Sequence, residues 1–382
     1  MLGLVWKNKE MEILTKPTDP KGETVSEKIY FKLTALGINK VKVGEPLTGP
    51  IITGYPISFH SSTPINKILS KEEDIALALG VESIDIRRVK GNLVIFVPNE
   101  DRKIVDFKDA LFWYLKDEEV SKMSIPILIG MDFQGEKFAL DLLKQPHMLI
   151  AGSTGSGKSV FESAIISALV MKMQPSELDL YLVDPKRVDL TLFQTLPHVK
   201  RMVKEADEWQ ELIEYLYSEV QNRNRILEAR GCRNILEFNE KFGNGNKMKF
   251  KVLIIDELAD LIIKGKVKDI NVIAGLCALL QVCRAAGVHV IACTQRSTVD
   301  VISGTTKVNF PTRIALRLPT KADSRTILDE NGAEMLLGKG DMLIKSESSD
   351  ELKRYHAPFV NISDIELILS QQEQIKEALG VM

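Results

Sequence analysis

No stretch of this chain stays apolar long enough to cross a bilayer. The longest candidate, residues 252–263, is broken by Asp256, Glu257 and Asp260, whereas a spanning helix needs about 20 predominantly apolar residues. The opening M-L-G-L-V-W-K-N-K-E turns charged too soon to serve as a secretory leader. No membrane insertion is expected. Cysteine is scarce too: Cys232, Cys277, Cys283 and Cys293 form no C-x-x-C pair and have no histidine partners at metal-ligand spacing. That argues against a zinc ribbon or a disulfide scaffold and fits reduced, buried thiols in a cytoplasmic protein. Neither sign of charge prevails. The 50 Lys and Arg meet 52 Asp and Glu, a net charge of -2, which argues against a uniformly basic nucleic-acid coat but leaves room for a local basic patch. Internal repeats and low-complexity tracts are missing as well.

What remains is an ordinary globular composition, 45% hydrophobic and 27% charged over 382 residues, enough for two or three domains with real cores. Residues 1–125 read as a small α/β unit and 126–382 as a larger one, with Pro126 and Gly130 punctuating the boundary. In the first, residues 24–36 carry both helix and strand signals. Strands are expected at 40–43 and 51–59, and a hairpin from 84–89 and 93–97 around Lys90, Gly91 and Asn92. A helix is expected to start at Ser70 as N-cap, with Glu73 at the capping-box position and Gly80 as its stop. No catalytic chemistry shows in this unit.

The second unit turns on H-M-L-I-A-G-S-T-G-S-G-K-S, residues 147–159. A strand-length apolar run leads into G-x-x-x-x-G-K-[ST], and Ala164, Ile165, Ala168, Leu169 and Met171 follow at helical spacing, the context a P-loop requires. Gly152, Gly155 and Gly157 let the backbone aim its N–H groups at a β-phosphate, and the helix N-terminus adds to that field. Lys158 is placed to reach the β- and γ-phosphates and Ser159 to ligate Mg²⁺. The expected ATP-binding set is Gly152, Ser153, Thr154, Gly155, Ser156, Gly157, Lys158, Ser159 and Val160. Further strand-like runs at 180–183, 252–255, 288–293 and 313–318, separated by helices such as 207–230, predict an α/β fold with a parallel sheet covered on both faces. A last helix is expected from residue 363.

Two more strand ends carry polar groups. K-V-L-I-I-D-E ends in Asp256, suited to hold Mg²⁺ through its water shell, and Glu257, suited to polarise an attacking water. The same pair also fits a helix N-cap and first-turn charge. The strand V-H-V-I-A-C-T ends at Gln295, which either senses a γ-phosphate or is a plain loop residue. Asp184-Pro185-Lys186 is a weaker signal still, since a strand-terminating turn explains it nearly as well.

The strings Q-P-H-M-L-I-A-G-S-T-G-S-G-K-S, V-D-P-K, L-I-I-D-E-L-A-D-L, C-R-A-A-G-V-H-V-I-A-C-T-Q-R, F-P-T-R-I-A-L-R, D-S-R-T-I-L-D and L-L-G-K-G-D-M-L occur in the order that marks the FtsK/SpoIIIE family of double-stranded DNA translocases. The resemblance spans about 130 to 360, and Gly49-Pro50 and D-I-A-L-A-L resemble the smaller domain that precedes the motor. It implies a RecA-like ATPase that assembles into a homohexameric ring around double-stranded DNA, with ATP sites between subunits. In that family Arg284 would extend into a neighbour's site, and Arg296, Lys321 and Arg325 would lie on loops lining the pore. T-Q-R-S-T replaces the usual T-Q-R-P-S, a departure that bears on the first pore loop. Cell-division members carry membrane spans, a long linker and a C-terminal winged-helix domain. Their lack here leads to the expectation of a soluble plasmid- or virus-encoded motor. Two other readings stay open: a related conjugation or secretion ATPase moving single-stranded DNA or protein, and a nucleotide-dependent DNA-binding scaffold that does not travel.

Overall fold

A computed structural model describes residues 24–378, apart from 39, 90, 244, 246, 299–300 and 347–348. The chain divides into two compact units, residues 1–102 and 103–382. Thr24 decides the ambiguous stretch in the first. Its hydroxyl accepts the Glu27 N–H and the Glu27 carboxylate accepts the Thr24 N–H, a reciprocal cap that starts α1 (Val25–Ala35). Strands β1 (Lys42–Val43), β2 (Leu47–Thr48) and β3 (Ile52–Ser58) follow, then helices α2 (Ile65–Leu69) and α3 (Glu72–Leu79), then β4 (Asp85–Val89) and β5 (Asn92–Pro98). The strands form an antiparallel sheet in the order β1-β3-β5-β4, with β2 against β3.

Helix α3 stops at Gly80, φ 72°, as expected, but Ser70 does not start it. The Ser70 N–H still bonds to Asn66 O in the last turn of α2, and its hydroxyl donates to Lys67 O. That serine is committed to the helix before it, and Lys71 is the N-cap of α3 without a side-chain bond. In the expected hairpin Val89 pairs with Asn92, while Lys90 lies outside the described residues.

The second unit begins with α4 (Phe107–Lys116) and α5 (Glu118–Ser121), a segment that the sequence places before the boundary. Phe107, Ala110, Tyr114 and Val120 are buried with Ile127 and Phe161 in one core, and the Tyr114 hydroxyl donates to Pro126 O at 2.8 Å. The division therefore falls ahead of these helices. The chain continues through β6 (Pro126–Asp132), β7 (Lys137–Asp141), β8 (Met148–Ala151), α6 (Lys158–Lys172), β9 (Leu178–Val183), β10 (Val199–Val203), α7 (Ala206–Ala229), α8 (Ile235–Phe242) and β11 (Phe250–Ile255). Then come α9 (Leu258–Val267), α10 (Val272–Val282), β12 (Val288–Thr294), α11 (Gly304–Val308), β13 (Thr312–Leu316), α12 (Lys321–Leu328), β14 (Asp341–Ser346), β15 (Ser349–His356) and α13 (Ile362–Ala378).

One sheet runs through this unit in the order β10-β9-β11-β12-β8-β13-β14-β15-β6-β7. Neighbours are parallel from β10 to β13 and antiparallel from β13 to β7. The parallel half matches the expectation; the antiparallel half adds to it. Successive residues of the central strands enter opposite cores. Met148, Ile150, Val252 and Ile254 pack with α4, α6 and α13, and Leu149, Leu253 and Ile255 with α7, α9 and α10. Burial on both faces is why these strands read as unbroken apolar runs. The carboxyl ends of β8, β9, β11, β12 and β13 deliver their loops to one edge, the edge where ligands bind in such sheets.

Candidate active site

At that edge the Gly152 N–H donates to Thr294 O at 3.1 Å, and Ser153 donates its N–H and hydroxyl to Arg317 O at 3.0 and 2.9 Å. The glycine loop is thereby pinned between the ends of β12 and β13. Gly155 and Gly157 pass through the left-handed region, φ 79° and 99°. Gly157 also has no room for a side chain. A Cβ there would lie 2.6 Å from the Gly340 nitrogen, which donates to Ser156 O at 2.8 Å. Gly152 serves differently from the expectation: its φ is not positive, and clearance is what it supplies, a would-be Cβ lying 2.5 Å from Ser156 Oγ. Helix α6 starts at Lys158, so unpaired N–H groups point out of its first turn toward the loop.

Lys158 is only 3% exposed. Its ammonium donates to Asp256 Oδ1 at 2.8 Å and Asp256 O at 2.9 Å, and lies 3.7 Å from Glu162 Oε2, one turn along α6. Burial pulls the Lys158 pKa down, but Glu162 and Asp256 more than reverse this and hold it above its ordinary value. Burial pushes the Glu162 carboxyl well above the usual carboxylate range, with Lys158 opposing and Asp256 reinforcing. Neither Glu162 oxygen nor Asp256 Oδ2 has a hydrogen-bond partner among the described residues. A buried Asp256 oxygen with nothing to accept, on the carboxylate that holds Lys158, and the hydroxyl of the next residue, Ser159, are hard donors of the kind that suits Mg²⁺. The remaining ligands of a six-coordinate ion would come from phosphate and water.

Glu257 is enclosed. Its Oε1 accepts from the Thr294 hydroxyl at 2.8 Å and from the Ala259 and Gln295 N–H groups at 3.3 and 3.2 Å. Its Oε2 accepts from the Gln295 N–H at 2.9 Å and faces the Lys186 ammonium at 3.4 Å. The bond to Ala259 makes Glu257 the N-cap of α9, so the capping reading of this acidic pair holds alongside any chemical one. Gln295 reaches the loop: its side-chain oxygen accepts from the Thr154 hydroxyl at 3.2 Å.

The structure thus gathers Lys158, Ser159, Asp256, Glu257 and Gln295 at one edge, and it places Arg284 elsewhere. Arg284 is exposed just before β12, whose far end carries Gln295. Seven strand residues separate those ends by about 23 Å. Beside Arg284 two buried histidines meet, ring centroids 5.8 Å apart: His147, whose Nδ1 accepts the Val290 N–H, and His289. Arg296, Lys321 and Arg325 are exposed after the ends of β12 and β13, on the glycine-loop edge. Arg296 lies 3.7 Å from Asp260; Lys321 and Arg325, one turn apart on α12, have no ion pair among the described residues.

Two side chains here carry no motif signal of their own. Glu162 sits at i+4 from Lys158, and this spacing on a helix is the only hint of contact. Asp189 accepts the Ser159 hydroxyl at 2.7 Å from a loop that follows V-D-P-K.

Known proteins extend these observations. The FtsK/SpoIIIE family pattern matches residues 115–299, and the pattern of the FtsK alpha domain matches residues 4–99. The DNA translocase FtsK of Haemophilus influenzae is 36% identical over 369 residues, which cover 89% of this chain and 69% of that protein. The DNA translocase FtsK of Pseudomonas aeruginosa is 33% identical over 389 residues, 94% of this chain and 47% of that protein. The chain spans about half the length of several such relatives. Among solved structures, the pCW3 conjugation coupling protein TcpA superposes with a TM-score of 0.65 at 23% identity, covering 92% of this chain and 99% of that one. The cytoplasmic domain of the Thermomonospora curvata Type VII secretion ATPase EccC gives 0.60 at 21%, covering 71% and 34%. At those identities the two structures speak to the fold alone.

Proposed function

This chain belongs to the FtsK/SpoIIIE family, and from that premise we propose that it is an ATP-driven motor that translocates double-stranded DNA through a homohexameric ring. The observation that carries the reading is the position of Gln295. Its side chain bonds Thr154 of the glycine loop, its N–H bonds Glu257, and the next residue is the exposed Arg296. A change at the nucleotide therefore has a three-residue path to a cation on the outer edge.

In this reading the loop N–H groups and Lys158 bind the β- and γ-phosphates, and Lys158 exchanges Asp256 for phosphate as it does so. Mg²⁺, held by Ser159 and Asp256, would neutralise charge on the phosphates. Glu257 orients the attacking water once Gln295 or Lys186 releases one of its oxygens. Both oxygens are engaged as they stand, so Glu257 is held in reserve until the loop moves. Arg284 lies too far from its own loop to act there, and it serves a neighbouring subunit's site. Arg296, Lys321 and Arg325 contact DNA phosphates without reading bases.

Displacement of a triplex-forming strand from duplex DNA, with ATP, tests the reading. Displacement that stops when ATP is replaced by a non-hydrolysable analogue is the expected result. ATP turnover stimulated by single strands and not by duplex would assign a different cargo. DNA binding without displacement would leave a scaffold.

A further inference from the structure

The loop between β9 and the end of its turn at Thr191 touches the site at two points that no motif assigns. Asp184 shapes it: one carboxylate oxygen accepts the Arg187 N–H at 2.7 Å, and the other accepts the Leu190 and Thr191 N–H groups and the Thr191 hydroxyl at 3.1–3.2 Å. Held in this way, the loop sends Lys186 to Glu257 and Asp260, at 3.4 and 3.6 Å, and Asp189 to Ser159.

We propose that Asp189 is a positioning residue of the Mg²⁺ site, orienting the Ser159 hydroxyl so that its oxygen faces the cation. The inference rests on the nucleotide-binding reading above and adds a residue to it. A serine hydroxyl has one proton and two lone pairs. With the proton given to Asp189 at 2.7 Å, both lone pairs are free, and the acceptor's negative charge makes the oxygen a better donor to a hard cation. The buried, unpartnered Asp256 Oδ2 is a second, independent mark of a cation position beside Lys158. Outer partners of metal ligands commonly govern affinity as strongly as this arrangement implies, about 10–100-fold on removal. Because the same loop carries Lys186, a cation that tightens the Ser159–Asp189 contact also acts on the group that restrains Glu257.

The test is binding, not turnover. A fluorescent mant-labelled ATP analogue is titrated into the full chain in EDTA and across a Mg²⁺ series, for wild type, Asp189→Ala, Asp189→Asn and Asp189→Glu. The expected result is a Mg²⁺ half-point moved up about 10-fold or more in the Ala variant, less in Asn, and partly restored in Glu, with affinity in EDTA unchanged. Thermal melts report whether each variant is folded, and the isosteric Asn variant carries the test should Ala fail to fold. An unmoved half-point overturns the proposal. A shift matched by an equal loss in EDTA overturns it too, since that is damage to the glycine loop itself. If the wild type binds no nucleotide with or without Mg²⁺, the nucleotide-site reading falls instead, and Asp189's role falls with it.

Discussion

Replacing Glu257 with glutamine separates the capping role of this side chain from its chemical one. The carboxylate takes donors on both oxygens: Thr294, Ala259 and Gln295 on Oε1, Gln295 and Lys186 on Oε2. An amide has a single acceptor oxygen. Placed at Oε1 it keeps the hydroxyl, the capping bond to Ala259 and the longer, 3.2 Å bond from the Gln295 N–H, while its NH₂ faces the Lys186 ammonium, a donor against a donor where Oε2 had accepted. Lys186 retains Asp260 at 3.6 Å, so the main loss is one hydrogen bond to a charged group, roughly 1.5–3 kcal/mol. For a unit of this size that lowers the melting point by a few degrees, up to about 10 °C. Nucleotide affinity should not change, because Lys158 and Ser159 make no contact with Glu257 in the hydrogen-bond network. Hydrolysis should fall by about 10²–10⁴, the usual worth of a positioned base. Mant-nucleotide binding, a thermal melt and a phosphate-release assay on the same preparation give all three numbers. Hydrolysis at the wild-type rate, with the melting point lowered as calculated, would show that Glu257 is a helix cap and nothing more.

Other perturbations address the proposed ring and its DNA path. Arg284→Ala should bind nucleotide normally yet lose about 10³–10⁵ in rate as a pure ring, and mixing it with Lys158→Ala subunits should recover some activity; no mixture exceeding either parent would count against a shared site. Changing Arg296, Lys321 and Arg325 together to alanine should flatten the salt dependence of duplex-stimulated turnover by up to about 2.7 in log–log slope, at about 0.9 per phosphate contact, and an unaltered slope would remove these residues from the DNA path. The buried rings titrate as well. Burial, aided by Arg284, lowers His147 to about 3, and burial, His147 and Arg284 lower His289 to about 3. The folded pKa lies below the unfolded one, so stability is full above about pH 6.5 and drains away as pH falls toward 3. By pH 4.5 each ring costs about 3 kcal/mol. His289→Leu, at a ring with neither nitrogen partnered among the described residues, should lose a smaller part of its melting temperature between pH 7 and 4.5 than wild type does; equal losses would refute the assignment.

The nucleotide edge is legible in the sequence because its signals are contiguous. Strand, loop and helix around Lys158 occupy a single run, and β11 announces its two carboxylates at its own end. The antiparallel half of the sheet is not legible, because β15 pairs with β6 across more than half of the unit and no local pattern states who a strand's neighbour will be. Residues 103–125 fall on the wrong side of the boundary for a related reason: Tyr114 and Val120 look like any amphipathic helix until they join the core that α6 lines. Ser70 shows the limit of cap signals, since a serine between two short helices suits either. Asp189 and Glu162 are missed because their meaning lies in contacts, a hydroxyl across a loop and an ammonium one turn away.

The clearance at Gly157 has a consequence for the order in which the protein comes into being. Its backbone fits against Gly340, whose own N–H holds Ser156. Gly340 in turn accepts the Ala357 N–H at 2.8 Å, beside Asp341 pinned by Arg354 and by His356. A ribosome releases residues 152–159 long before these partners. At about 5–20 residues per second the lag between loop and brace is roughly 10–40 s. Throughout that interval the nascent chain carries every residue of the phosphate cradle without the Gly340 backbone against which Gly157 fits. Nucleotide thus meets a formed site only after β14 and β15 have joined the sheet, so the capacity to bind ATP arrives near the end of the unit's synthesis, not when its signature motif emerges.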